Sequence, residues 1–306
     1  MGEWALTLPG GGAGCLEIMK EGDGFKGRVL WGGGSVVPLQ TVKIEGDTLI
    51  VTRVREIKKK DATGAMKAEK ITDTITAKAK GADLSLVMET PGPKGAMQRS
   101  EFSGKRQPPV PAKPDLGKVR FGEPINLFNG KDLSGWRQVN EGAINGWSVE
   151  NGIMINRPVQ EPGKPKKHYG NLRTDREFED FRLTLETKVP EDGNSGVYLR
   201  GIYEIQVADS FGKAADSHGM GGVYSRITPS SNPSKAPGEW QTMELTLVDR
   251  HVTVVLNGVT IIDNEPVPGC TGGALWADVT RPGPIYLQGD HRAVDFRNIV
   301  LRPVIH

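Results

Sequence analysis

Apolar and polar residues alternate in short runs along most of the chain, and glycine-rich turns separate the runs. The stretches Asp47-Thr48-Leu49-Ile50-Val51-Thr52 and Ile71-Thr72-Asp73-Thr74-Ile75-Thr76 show it clearly. A period of two sends successive side chains to opposite faces, which marks a half-buried strand. Between residues 2 and 98 the pattern predicts strands at 4–8, 16–19, 25–30, 36–42, 48–54, 71–77 and 84–88. Sequential hairpins at this spacing, without a sustained helical period, predict a small antiparallel β-barrel. The charged segment 58–70 reads as a solvated loop.

Residues 99–120 carry Pro108, Pro109, Pro111 and Pro114 among lysines and arginines. Proline cannot donate to a sheet ladder and disfavours helix. The segment therefore reads as a linker, with domains at 1–98 and 121–306. Alternation resumes after it. Asn151-Gly152 and Asn257-Gly258 each sit between strand-like runs, and Asn-Gly readily takes the positive φ values of a type I′ hairpin turn. Residues 181–189 form a long alternating strand, with further strands at 241–248 and 294–301. The whole chain reads as all-β.

Composition agrees, since 40 glycines and 21 prolines suit many turns. With 39 basic and 37 acidic residues, the formal net charge is +2. That balance lacks the concentrated basic field of a nucleic-acid binder or a membrane-surface protein. No run approaches the ~20 apolar residues of a transmembrane helix. The cysteines, Cys15 and Cys270, belong to no CxxC pair, which argues against a thiolate zinc site. Strand-like sequence begins directly after Met1, as in a chain that has lost a leader, and this predicts a periplasmic or secreted protein.

From Ile125-Asn126-Leu127-Phe128-Asn129-Gly130 through Leu133-Ser134-Gly135-Trp136, the C-terminal part resembles the 3-keto-disaccharide hydrolase family. So do Gly146-Trp147-Ser148-Val149, Asn194-Ser195-Gly196-Val197-Tyr198-Leu199-Arg200, Tyr203-Glu204-Ile205-Gln206-Val207, Pro237-Gly238-Glu239-Trp240-Gln241 and Phe296-Arg297-Asn298-Ile299. The resemblance covers about residues 122–304. It implies a concanavalin A-like jelly roll acting on carbohydrate, here behind a lipocalin-like β-barrel. Family members often carry Gly where this chain has Arg292, so the substrate can differ.

Period two places Tyr203, Ile205 and Val207 on one face and Glu204 and Gln206 on the other. Tyr198 and Arg200 likewise oppose Val197 and Leu199. The resemblance makes the polar face concave. Asp290 and His291 follow the strand-like Tyr286-Leu287-Gln288, where a carboxylate can orient an imidazole for proton exchange. Asp209, Asp216 and His218 could ligate a divalent ion. Trp240 and Tyr224 are candidate sugar platforms, and Trp136 and Trp147 read as core. Arg200, Asn194 and Gln288 could bind hydroxyls or a carbonyl.

A 3-keto sugar has an acidified C2 hydrogen, so one base can form an enolate and expel the aglycone from C1, with water adding afterwards. This chemistry needs a base, a stabiliser of the enolate oxygen and an acid; a metal ion could replace the oxyanion donors. The expected roles are Glu204 or His291 as base or acid, Asp290 orienting His291, and Arg200 or Gln206 beside the enolate. The alternatives are a non-catalytic carbohydrate-binding protein and a conventional glycoside hydrolase with two carboxylates.

Overall fold

The computed structural model describes residues 1–60, 66–92 and 96–305. Among them there is no helix, so none is long and apolar enough to cross a membrane. The chain divides into two compact units, Met1–Pro109 with Leu275–Thr280, and Val110–Ala274 with Arg281–His306.

The first unit is a nine-stranded antiparallel meander. Its strands are β1 (Gly2–Thr7), β2 (Ala13–Glu21), β3 (Gly24–Trp31), β4 (Val36–Pro38), β5 (Thr41–Glu45), β6 (Thr48–Lys60), β7 (Met66–Lys80), β8 (Asp83–Pro91) and β9 (Met97–Arg106). Each pairs with its chain neighbour, and β1 also pairs with β9, which closes the ring everywhere except between β4 and β5. There the backbone of Leu39 donates to Gly27 O (2.9 Å) and that of Gln40 to Thr52 O (2.8 Å). Inward positions such as Trp4, Leu6, Leu16, Ile18, Val29, Val51, Ile75 and Leu86 fill the barrel.

Three expectations need correction. The strand expected at 36–42 is two strands, because the chain turns a corner at Pro38, Leu39 and Gln40. The linker expected from residue 99 starts later: residues 99–106 belong to β9, paired with β8 and, at its end, β1. The first proline is Pro108, so nothing before it interrupts the ladder. The loop expected over 58–70 is partly strand, since Lys58 to Lys60 pair with Ala68 to Met66. The backbone ladder tolerates charge when the side chains face water, as those of residues 66–70 do. Residues 61–65 of that expectation lie outside the described residues.

The second unit is a jelly-roll sandwich. Its strands are β10 (Arg120–Phe121), β11 (Ile125–Asn126), β12 (Trp136–Gln138), β13 (Trp147–Glu150), β14 (Ile153–Asn156), β15 (Leu172–Thr174), β16 (Phe181–Lys188), β17 (Asn194–Leu199), β18 (Tyr203–Ala208), β19 (Trp240–Val248), β20 (His251–Leu256), β21 (Val259–Pro266), β22 (Tyr286–Leu287) and β23 (Val294–Ile305). The larger sheet runs β13-β14-β23-β16-β19-β20-β21, with β10 and β11 also on β23; the smaller runs β12-β15-β22-β17-β18. Both predicted hairpin turns take positive φ at Asn151, Gly152, Asn257 and Gly258. Strand β16 alternates as predicted, burying Phe181, Leu183 and Leu185. Val197, Leu199, Ile205 and Val207 are fully buried from the smaller sheet, as are Leu245, Val254 and Phe296 from the larger. Trp136 and Trp147 are core residues as expected, donating their indole N–H to Leu127 O (2.6 Å) and Gly170 O (2.8 Å).

Candidate active site

The candidate functional face belongs to the smaller sheet, on the side away from Val197, Leu199, Ile205 and Val207. Register builds it row by row. Glu204 on β18 opposes Tyr198 on β17, and Tyr198 opposes Tyr286 on β22. Directly opposed residues share a face, and the two tyrosine rings stack with centroids 4.1 Å apart and planes 12° apart. In the next row Gln206 opposes Gly196, whose carbonyl accepts the Gln288 N–H at 3.0 Å. One row further, Asn194 O accepts the Arg292 N–H at 3.1 Å.

This second face is itself covered. Glu204 is only 3 % exposed. Its backbone N–H donates to Thr271 Oγ1 (2.9 Å), and Tyr198 donates to Gly272 O (2.7 Å). Beyond the β18 edge, Ile205 bridges Val223, and Tyr224 N–H donates to Glu204 O (3.0 Å). Tyr224 therefore flanks Glu204 on the same face.

Glycine at 196 makes the carboxyl's position possible. A Cβ built there would lie 2.2 Å from Glu204 Oε1 and 2.8 Å from its Cγ. The Glu204 side chain thus folds across the β17 backbone into space that any other residue would fill. With Glu204 in the catalytic role expected of it, Gly196→Ala is expected to lower turnover about 10²-fold, the cost of displacing a reacting group by about an ångström. Steady-state assay, with circular dichroism to check the fold, tests this expectation.

Burial pushes the Glu204 carboxyl up to about 8; the neighbouring Tyr198 hydroxyl opposes the shift and the charge of Asp290 adds to it. Burial also raises Asp290, but the hydrogen bond and charge of His291 outweigh it and leave Asp290 below the ordinary carboxylate value. His291 Nδ1 lies 2.7 Å from Asp290 Oδ1. With Asn194, Arg292, Lys166 and Asp192, this pair lines a cleft of about 370 Å³. Another cavity, of about 410 Å³ in the first unit, is bordered by Lys105, Arg106 and Asp278 and has neither a histidine nor a carboxylate pair.

Two buried amides on this face are short of partners. Gln206 donates from Nε2 to His218 O (3.1 Å), while its Oε1 and that of Gln288 are buried with no hydrogen-bond partner among the described residues. Leaving such an atom unsatisfied costs about 1–3 kcal/mol. Both oxygens are suited to accept a hydroxyl. One of the two Gln206 N–H groups is thus engaged.

The structure thus gathers Glu204, Gln206, Gln288, Tyr224, Asn194, Asp290 and His291 around one face. Arg200 does not join them. A φ of 56° at the β17–β18 turn takes it out of strand alternation, and its guanidinium donates to Arg281 O. Trp240 lies in the other sheet, where Arg297 and Lys188 cover its ring at 3.9 and 5.1 Å. The three metal candidates do not form one cluster: His218 Nδ1 and N–H both go to Asp216 Oδ1 (3.1 and 2.8 Å), while Asp209 Oδ2 accepts the Asp192 N–H (3.2 Å). Among the described residues, no three His, Cys, Asp or Glu side chains are grouped to hold a metal.

Sequence reasoning gave no site role to Asn171. Its Nδ2 donates to Tyr286 OH, and its Oδ1 accepts Gly289 N–H, both at 2.7 Å. It ties the tyrosine pair to the turn carrying Asp290 and His291. Only the sheet pairing reveals this, because more than a hundred residues separate the partners.

A family model described as the 3-keto-alpha-glucoside-1,2-lyase-like domain matches residues 123–302, more than half of the chain. A candidate glycosyl hydrolase from Parabacteroides distasonis ATCC 8503 is 30% identical, over 65% of this chain and 94% of that one, with a TM-score of 0.48. A second from the same organism is 21% identical, over 60% and 94%, with a TM-score of 0.47. Beta-agarase B from Zobellia galactanivorans is 13% identical, over 64% and 98%, with a TM-score of 0.39. No curated protein matches.

Proposed function

This chain belongs to the 3-keto-alpha-glucoside-1,2-lyase-like family and is carbohydrate-active, and from that premise we propose that it cleaves 3-keto-glycosides by elimination across C1–C2. The observation that carries the reading is the buried Glu204 carboxyl, held at about 8 on the face that also carries Gln206 and Gln288.

The C3 ketone acidifies the hydrogen on C2. Glu204, when ionised, takes that proton, and the C–H electron pair moves toward the C3 oxygen as an enolate. A carboxylate with a raised pKa is a stronger base than one in water. Gln206 Oε1 and Gln288 Oε1 accept sugar hydroxyls and so orient the ring. His291, its Nδ1–H directed to Asp290, presents Nε2 to the sugar as an acceptor for a ring hydroxyl. As the enolate collapses, a C1–C2 double bond forms and the C1–O bond breaks. The departing oxygen takes a proton from water in the cleft. Water adding to C1 of the resulting enone, with a proton returning to C2, completes a formal hydrolysis.

The test is parallel incubation with matched native and 3-keto glucosides in deuterated water. Release of aglycone from the 3-keto compound alone, with deuterium at C2 of the hydrated sugar, is the expected result. Equal cleavage of the native glucoside without deuterium uptake supports a conventional glycosidase, and binding without turnover supports a carbohydrate-binding protein.

A further inference from the structure

Asp290 and His291 stand where the chain crosses from the smaller sheet to the larger, between β22 and β23. Neither residue belongs to a strand, so the ladders alone do not fix them. Hydrogen bonds on both sides of the pair do. Upstream, Gln288 O accepts from Ser195 Oγ (2.7 Å), and the Gly289 N–H goes to Asn171 Oδ1 (2.7 Å). Downstream, the Arg292 N–H goes to Asn194 O (3.1 Å). One further side chain holds both sides at once. Asn156, the last residue of β14 in the larger sheet, donates from Nδ2 to Gly289 O (3.2 Å) and to Arg292 O (3.3 Å). The two carbonyls it grips bracket residues 290 and 291.

The amide is costly where it stands. Asn156 is fully buried, and its Oδ1 has no hydrogen-bond partner among the described residues. A buried acceptor left unsatisfied is destabilising. An apolar side chain of similar size would avoid that cost but would release both carbonyls. A primary amide carries two donors on one nitrogen, so it can hold two carbonyls three residues apart at one point. The backbone of Asn156 is itself fixed, paired with Trp147 on β13 and Val294 on β23. The anchor is therefore rigid, while His291, between the gripped carbonyls, is exposed and lines the cleft.

We propose that Asn156 is a positioning residue of the sugar site: by holding both ends of the crossing from the opposite sheet, it sets where His291 meets the ring hydroxyl it accepts. The proposal rests on the reading above, in which His291 contacts the sugar. Asn156 touches no substrate and acts through the turn. A hydroxyl held by His291 is held in the ground state and the transition state alike. Losing its alignment therefore weakens binding and spares the chemical step.

The experiment is a double-mutant cycle in the full chain on one 3-keto-glucoside, with Asn156→Leu, His291→Ala and the two combined. Assay at about pH 9, above the Glu204 value of about 8, keeps the base ionised throughout. Asn156→Leu should raise KM about fivefold, the worth of one hydrogen bond, with kcat within about twofold of wild type. Amide exchange should quicken at residues 289–292 and stay unchanged in β16 and β19. In the His291→Ala background the same change should leave KM where it was, because the group being positioned is gone. Asn156→Ser, shorter and with one donor, runs the same cycle if the leucine variant does not fold, with an expected rise of about twofold. A change in KM that is the same in both backgrounds, a loss confined to kcat, or no change at all overturns the positioning role and leaves the elimination reading standing. A wild type that leaves the 3-keto-glucoside uncleaved overturns both.

Discussion

Glu204→Gln is expected to reduce turnover of a 3-keto-glucoside by about 10³-fold or more while leaving the fold and the binding of substrate in place. General-base contributions run to about 10²–10⁴-fold, and the Asp290 carboxylate is committed to His291. The amide keeps the shape of the side chain over Gly196, so little repacking follows. The wild-type pH profile gives an independent check. A base must be ionised to act, and this one is held at about 8. Hence kcat/KM should climb about tenfold per pH unit at low pH and level off above about 8. An ordinary carboxylate would level off near pH 4–5. A plateau already reached at pH 5, or near-full activity in Glu204→Gln, removes Glu204 as the base. Retained isotope exchange at C2 in the mutant would show that another group takes the proton.

Period two placed Glu204 and Gln206 on the face opposite Ile205 and Val207, and Tyr198 opposite Val197 and Leu199, because a regular strand leaves no other choice. The same rule misplaced Arg200. It is one residue past the end of β17, where a positive φ breaks the alternation, and nothing in Leu199-Arg200-Gly201 fixes where the strand stops. Trp240 failed for another reason. Alternation assigns a side within a strand but does not say which sheet holds that strand, and β19 pairs with β16. Gly196 gains its meaning from a register across two strands, and Asn171 from one across the sheet. Such pairings are set by the packing of the whole sandwich. In the barrel, the Asn-Gly signal was absent, and the 36–42 run hid a corner that only the ring's closure requires.

The barrel supplies the other large expected effect. Asp73 on β7 faces inward and is fully buried. Its Oδ2 accepts from Arg53 Nη2 (2.8 Å) and Arg55 Nε (2.9 Å), and its Oδ1 accepts from Thr90 (2.9 Å). Arg53 also lies over the Trp31 ring at 4.4 Å. Asp73→Ala strands a nearly buried guanidinium, and removing one partner of a buried pair costs about 3–5 kcal/mol. The loss should appear as faster amide hydrogen exchange in β6, β7 and β8 of the full-length chain, with the second unit's exchange unchanged. Burial raises the Asp73 carboxyl, but the hydrogen bonds from Arg55, Arg53 and Thr90 together outweigh it, so its folded-state pKa is lowered. A depressed folded value means the contribution is complete above the unfolded carboxylate value of about 3.9 and is lost as pH falls through the folded one. Acidification should therefore speed wild-type exchange, corrected for intrinsic rates, toward that of Asp73→Ala. The mutant should show less of this dependence. Exchange rates in β6–β8 that match in the two proteins at neutral pH would mean that the buried ion cluster contributes nothing to holding the barrel closed.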